Sequence, residues 1–456
     1  MKDFKGKKIA VLGLGMEGLS TLDFFKKQGA KVTGLDRKES EKYLENFGQY
    51  DVIVRSPGVN PDVITQALLS RGARSGSAGK KKRAEITSQT KIFFELCPCP
   101  IIGVTGTKGK GTTSALIYEM LKRDGKDVYL GGNIGNPPLG FLNKLNTQPA
   151  SRQGGSIVIL ELSSFQLLDL NKSPHVAVML MTTSEHLDYH KDTYEYVNAK
   201  RNILRFQTSS DFAIINKDYL PSRESDVETK GKVFYISREQ EIEQGCFVKD
   251  EKIILRRVGK EDEIVVKTKD ILLPGRHNLE NVCAAIMAAT IMGVSKKNIA
   301  SVLKSFKGLE HRLELVDTVA GVRYYDDSFS TTPETAIAAI EAFKDPEILI
   351  LGGSSKNSDF TELGRVISEA KNIKAIIGIG KEWERIKAQF IIHNSEFRII
   401  EGLRDMRSIV QKACEIAEPD DVVILTPACA SFDMFKNYKD RGEQFKKEVK
   451  KLNKRI

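Results

Sequence analysis

Eleven residues constrain this chain more than any others: Gly103-Val104-Thr105-Gly106-Thr107-Lys108-Gly109-Lys110-Gly111-Thr112-Thr113. They follow the apolar run Ile101-Ile102 and open a segment whose apolar positions 116, 117, 120 and 121 share one helical face. A glycine-rich turn between a buried strand and a helix leaves backbone N–H groups free to cradle phosphates. Its lysine then reaches the β- and γ-phosphates, and a following hydroxyl holds magnesium. A lysine-rich surface turn is the plain alternative, and the strand-to-helix setting argues against it. The loop predicts an ATP site in a parallel α/β domain. Serine or threonine is expected directly after the lysine, where Gly111 stands, so Thr112 or Thr113 must supply the hydroxyl.

A second nucleotide signature opens the chain. Gly13-x-Gly15-x-x-Gly18 lies between the strand-like run 8–12 and a helical pattern over 19–29, and Asp36 ends the next strand-like run. In that context the glycines let a phosphate approach a helix N-terminus, and the acid can meet a ribose hydroxyl. The alternative is that the glycines serve only tight strand–helix packing. The motif specifies a nucleotide without specifying which; alone it would suggest a dehydrogenase, which leaves the ATP loop unexplained.

At 456 residues the chain is too long for one hydrophobic core. Short apolar strands alternate with helical patterns three times over, predicting an α/β protein of three domains. These are a Rossmann-like domain over 1–95, a central P-loop ATPase domain with a parallel sheet over 96–307, and a C-terminal Rossmann-like α/β domain over 308–456. Nearly continuous apolar runs at 156–162 and 176–181 suit strands covered on both faces. The polar stretch 217–269 predicts a small β insertion, and 281–292 an alanine-rich helix. No apolar run approaches the roughly 18 residues that span a bilayer, and no secretory signal precedes the first strand, so a cytoplasmic protein is expected. Six scattered cysteines suit a reducing compartment. The formal charge of +10 raises nucleic acid as a partner. However, no basic stripe with interleaved aromatics, zinc finger or RNA-recognition signature is present, and the run Lys80-Lys81-Lys82-Arg83 reads as a solvated loop. A polyanionic small-molecule substrate suits the surplus equally well.

Several polar residues fall at strand ends. Glu161 closes the run 156–161 and is placed to ligate magnesium beside the loop, against the alternative of a solvent-facing acid. His186 and His190 sit four apart, but without the glutamate a metalloprotease helix carries. A magnesium or phosphate contact by His186 is weighed against a structural histidine. Lys200 lies in a helical pattern where a surface lysine is the default.

Taken together, these pieces resemble the Mur ligases and the related folylpolyglutamate synthetases. The resemblance is carried by Gly106-Thr107-Lys108-Gly109-Lys110, Asn133-Ile134-Gly135, Glu161 to Gln166, Glu185-His186-Leu187-Asp188, Ala199-Lys200, His277-Asn278-x-x-Asn281 and His311-Arg312. Its matches run in order from residue 9 to residue 442. Phe93-Phe94-Glu95-Leu96-Cys97 and 427–438 resemble the member that adds glutamate to a UDP-linked muramoyl-alanine precursor of peptidoglycan. The N-terminal nucleotide domain also favours the Mur ligases over the folate enzymes, which begin at the ATPase unit.

The resemblance implies a monomeric, ATP-dependent, ADP-forming acid–amino-acid ligase with small-molecule partners. Gly15, Met16, Asp36, Arg37, Ser56 and Asn133 would bind the UDP-sugar. Gly106, Thr107, Lys108, Gly109, Lys110, Gly111 and Thr112 would hold the ATP phosphates, with Asn278, Asn281, Arg312 and Asp327 completing the nucleotide site. Thr112, Glu161, His186 and Lys200, the last as a carbamylated lysine, would serve two magnesium ions. Lys110, His186 and Lys200 would carry catalysis, and Lys356, Thr331, Ser431 and Tyr438 would cradle glutamate. Two departures stand out. Met181 occupies a position where asparagine is common. Asp327-Ser328-Phe329-Ser330-Thr331-Thr332-Pro333 replaces the family's Asp-Ser-Lys-Ala-Thr-Asn, putting Phe329 at a lysine position; D-glutamate is expected, with L-glutamate followed by a separate epimerase as the alternative.

Overall fold

The computed structural model describes residues 3–37, 44, 47–72, 84–134, 136–146, 155–183, 189–354, 358–390 and 397–452. The expected basic loop 80–83, together with Gly135, His186 and Lys356, lies outside them. The chain is α/β throughout, built on three parallel-dominated sheets.

The first sheet comprises β1 (Lys8–Leu12), β2 (Lys31–Leu35), β3 (Val52–Arg55) and β4 (Glu85–Ser88), in the order β2-β1-β3-β4 and parallel at every pairing. The helix Met16–Lys27 connects β1 to β2. Because β1 lies between β2 and β3, the chain leaves the sheet in opposite directions at its carboxyl edge. A crevice opens there, where doubly wound sheets bind ligands.

The second sheet has nine strands: β5 (Ile101–Thr105), β6 (Asp127–Gly132), β7 (Ser156–Glu161), β8 (Val176–Met179), β9 (Phe212–Asn216), β10 (Lys232–Ser237), β11 (Gly245–Lys249), β12 (Lys252–Arg256) and β13 (Glu263–Lys267). Their order is β13-β12-β11-β10-β9-β8-β5-β7-β6. All residues of β5, β7 and β8 are buried, as their apolar composition requires. The polar stretch after 217 is not a separate insertion. β10 pairs in parallel with β9, and β11 to β13 continue the same sheet, turning antiparallel at β11–β12. Each of these strands mixes buried with partly or fully exposed residues, as strands near a sheet edge do. The alanine-rich helix begins earlier than its composition suggested, at Asn278, and ends at Ile291.

The third sheet comprises β14 (Glu314–Val319), β15 (Val322–Asp326), β16 (Glu347–Gly352), β17 (Ile373–Ile379), β18 (Arg398–Ile400) and β19 (Val422–Leu425), ordered β14-β15-β19-β16-β17-β18. Only β14 pairs antiparallel. Two compact units result: residues 1–268 with 279–303, and residues 269–278 with 304–456. The first two sheets thus belong to one unit. Their shared core joins Phe24, Phe25, Phe93 and Phe94 to Leu160, Met179 and Ile203. Among the described residues, no helix is long and apolar enough to cross a membrane.

Candidate functional site

The glycine loop after β1 is built by exclusion of side chains. A Cβ on Gly18 would lie 1.9 Å from the Gly13 carbonyl oxygen, so only glycine lets the helix start this close to the turn. Asp36, after β2, accepts the Leu14 amide at 2.6 Å, and the Ser56 hydroxyl, after β3, donates to Gly13 O at 2.6 Å. Three strand ends are thereby tied around one cavity of about 540 Å³. Gly15, Met16, Asp36, Arg37, Ser56 and Asn133 all line it, together with Glu17 and Pro137. Met16 is 69% exposed, an apolar side chain left uncovered at the mouth.

Asn133 joins this cavity to the second sheet. Its Nδ2 donates to Glu161 Oε1 at 3.0 Å and its amide donates to Glu161 O at 2.9 Å. Glu161 ends β7, which pairs directly with β5 in the register Val104–Glu161. The carboxylate therefore stands next to the strand that launches the phosphate loop.

That loop is held from three sides. Gly109 is left-handed (φ 85°), and a Cβ there would fall 2.1 Å from Asn281 Oδ1. Asn281 also accepts from the Thr113 hydroxyl at 3.3 Å, which fixes the first turn of the helix Lys110–Arg123. The Thr107 amide donates to Met181 O at 2.7 Å, and the Thr107 hydroxyl lies 3.1 Å from the Tyr196 hydroxyl. Lys110 Nζ curls back to Gly106 O and Thr107 O, both at 2.9 Å. Lys108 is exposed and Gly111 buried. Of the two hydroxyls after the lysine, Thr113 is fully buried and engaged, whereas Thr112 is half-buried.

Lys200 is not the surface lysine its helical setting suggested. It is 1% exposed, donates to Gly106 O at 2.9 Å and lies 4.5 Å from the Tyr196 ring centroid. His190 is buried, bonded to the Ser164 hydroxyl at 3.0 Å and stacked on Phe165, which is the environment of a structural histidine.

In the C-terminal unit the expected residues gather at the carboxyl ends of the neighbouring strands β15 and β19. Asp327 follows β15, fully buried; burial pushes its carboxyl up to about 7, against bonds from the Thr426 hydroxyl and the Leu313 amide. Ser431, beyond β19, is 2% exposed, and Thr331 is half-buried just before the helix Pro333–Ile340. Tyr438 packs edge-on against Phe329 at 5.1 Å. Asn278 donates to Pro274 O at 2.6 Å. For His311, burial would lower the pKa, but the Asp326 carboxylate, 2.7 Å from Nδ1, outweighs it and raises it.

Sequence reasoning missed Arg441, the hub of this region. It is 0% exposed, and its guanidinium bonds Ser328 Oγ and O and the carbonyls of Cys429 and Ala430. Burial lowers its pKa to about 10, against the charges of Asp326, Asp433 and Asp327. It also missed Arg55, fully buried at the end of β3 and bonded to Asp169 at 2.5 Å and Phe165 O at 2.9 Å. No local signal separates such arginines from surface ones, because Asp169 and Phe165 for Arg55, and Ser328 for Arg441, lie 110 or more positions away.

Comparison with known proteins bears on this arrangement. The Mur ligase MurD-like N-terminal domain matches residues 7–69, the Mur ligase middle domain residues 104–289, and the Mur ligase glutamate ligase domain residues 311–429. UDP-N-acetylmuramoylalanine–D-glutamate ligase of Acetivibrio thermocellus is 38% identical, over 99% of this chain and 98% of its own length. The Ruminiclostridium cellulolyticum enzyme of the same name is 36% identical over the same shares. Among solved structures, MurC from Thermotoga maritima has the same fold, with a TM-score of 0.58, 16% identity, and 99% of this chain and 100% of that one covered. MurF from the same organism, in complex with ADP, aligns with a TM-score of 0.56 and 18% identity over 100% and 97%.

Proposed function

This chain belongs to the Mur ligase family and is an ATP-dependent, ADP-forming ligase; on that premise we propose that it joins D-glutamate to UDP-N-acetylmuramoyl-L-alanine in peptidoglycan precursor synthesis. One observation carries the reading. Gly15, Met16, Asp36, Arg37, Ser56 and Asn133 surround one cavity, and Asn133 is bonded to Glu161 beside the phosphate loop. A UDP group seated at the start of the helix Met16–Lys27 would direct its acyl end toward that carboxylate. The amino acid is taken from the D-glutamate ligases that share 36–38% identity with this chain. The three-part division at 1–95, 96–307 and 308–456 is kept as the division of labour between UDP-sugar, ATP and glutamate. A monomer working in the cytoplasm completes the reading, and wall synthesis ties it to cell shape and division.

The alanyl carboxylate attacks the γ-phosphorus of ATP, ADP departs, and an acyl phosphate forms. The glutamate amine then adds to the acyl carbon, loses a proton, and phosphate leaves as the amide forms. Phosphoryl transfer of this kind depends on positioning and charge compensation. Lys110 supplies a cation at the loop, and the Gly106–Thr112 amides supply donors. Asn278, Asn281, Arg312 and Asp327 are assigned to the rest of the nucleotide, and Lys356, Thr331, Ser431 and Tyr438 to glutamate.

The donor set suits magnesium, a hard ion that prefers oxygen. Glu161 offers a carboxylate at a strand end and Thr112 a hydroxyl that packing leaves available, with His186 assigned to the same site. An ion held by these residues would supply positive charge against the phosphate charge that shifts during transfer. Lys200 as an ammonium offers no lone pair to a metal, whereas a carbamate on its nitrogen would offer oxygens. Phosphate release that requires ATP, UDP-N-acetylmuramoyl-L-alanine and glutamate together tests the function. Release that ignores the UDP-sugar would overturn it.

A further inference from the structure

Glu17 occupies an unexpected place for an acid. It is the second residue of the helix Met16–Lys27, whose N-cap is Gly15, and it lines the cavity assigned to the UDP-sugar. A helix start attracts a diphosphate, and an ionised carboxylate in its first turn opposes one. The side chain is nevertheless anchored rather than turned out to water. Oε1 accepts from Gln166 Nε2 at 2.6 Å, while Oε2 is buried and has no hydrogen-bond partner among the described residues. Gln89 donates to the backbone carbonyl of Glu17 at 2.9 Å and to Thr21 Oγ1 at 2.8 Å, yet its own Oε1 is also buried and without a donor among the described residues. A buried carboxylate oxygen lacking a donor calls for a hydrogen that the ionised acid does not have.

The charged groups nearby do not replace it. β3 brings Arg55, committed to Asp169 and Phe165 O. The turn after β2 brings Asp36, which accepts from Leu14, and Arg37 at the cavity wall. The turn 138–140, packed against the same helix, carries no ionisable side chain.

We propose that Glu17 is the neutral acid when the UDP-sugar is bound, so that binding transfers one proton from the buffer to Glu17 Oε2. Burial already pushes this carboxyl up to about 7, against the Gln166 bond and the Arg55 charge. A diphosphate beside it favours the neutral form further. The inference rests on the UDP-sugar reading of the cavity.

The test is calorimetric titration of the full chain with UDP-N-acetylmuramoyl-L-alanine at pH 8, in phosphate and in Tris, whose ionisation enthalpies differ. Proton uptake approaching about one per substrate is expected, with affinity falling by up to about tenfold per pH unit above neutrality. Glu17→Gln, which fixes the neutral shape, should bind with no proton uptake and no pH dependence between 7 and 8.5. Binding by the parent protein with identical heats in both buffers overturns the proposal, whether or not the variant folds. So does uptake that persists in Glu17→Gln. No binding by either protein overturns the cavity's assignment, and this inference with it.

Discussion

The guanidinium carbon of Arg312 lies 4.0 Å from the centroid of the Phe329 ring, which stands perpendicular to the Tyr438 ring with their centroids 5.1 Å apart. Phe329 occupies the position where the family resemblance leads one to expect a lysine. In place of a second cation, this chain has an aromatic face that holds the first one. Arginine over an aromatic ring contributes about 0.5–2 kcal/mol, depending on how dry the contact is. If Arg312 serves ATP, Phe329→Ala should raise the KM for ATP by about 2- to 30-fold, the range those energies span. Phe329→Tyr should preserve it. An unchanged KM in Phe329→Ala would separate Arg312 from nucleotide binding.

The loss of that lysine bears on stereochemistry. Phosphate release measured with each glutamate enantiomer, alongside ATP and UDP-N-acetylmuramoyl-L-alanine, should show a clear preference for D-glutamate. Ser431 and Tyr438 persist at the strand ends assigned to that substrate. A preference for L-glutamate would overturn the enantiomer and leave the ligase chemistry standing.

Lys110→Ala should reduce phosphate release by about 10²-fold or more, the scale of losing a preorganised charge at a reacting phosphate. Lys110 is half-buried and its Nζ bonds the carbonyls of Gly106 and Thr107 in its own loop, so the melting temperature should shift by only a few degrees. Near-parental turnover would remove the lysine from the phosphate site.

Lys200→Ala separates a structural lysine from a metal-organising one. Its nitrogen is 2.9 Å from Gly106 O, so removal loosens the loop in either case. Only a carbamate role predicts that short-chain carboxylates partly restore turnover, by returning oxygen ligands. An alanine variant as active as the parent would dismiss both roles.

The parts of the site legible in the sequence were those encoded locally. Gly13, Gly15 and Gly18 announce a turn, and Gly106 to Thr113 a loop, because backbone conformation and spacing are written in consecutive residues. The sheet beyond β10 was misjudged because alternation describes a strand but not the sheet it joins; β10 pairs with β9 rather than starting a new module. Lys200, Arg55 and Arg441 were illegible or misread for one physical reason. A buried cation and a solvated one have the same spelling, and burial here is set by partners such as Gly106, Asp169 and Ser328 that lie far along the chain.

Glu347 is a carboxyl at odds with its surroundings. It starts β16, is 0% exposed, receives Asn372 Nδ2 on Oε1 at 3.2 Å, and leaves Oε2 buried without a partner among the described residues. Burial pushes its pKa up to about 9; the Asn372 bond pulls it down and the Asp345 charge adds to the rise. The folded protein therefore holds a proton that the unfolded chain releases near the ordinary value of 4.5. Between those two values the native state binds more protons than the unfolded state, so this group's contribution to stability falls as pH rises. Glu347→Gln removes that dependence while keeping the shape of the neutral acid. The variant should be close to the parent at pH 5 and more stable by up to about 4 kcal/mol at pH 8, since the parent loses about 1.4 kcal/mol for each pH unit between the two values. Urea denaturation at the two pH values measures this directly. An equal difference at both would mean that Glu347 does not change protonation on unfolding.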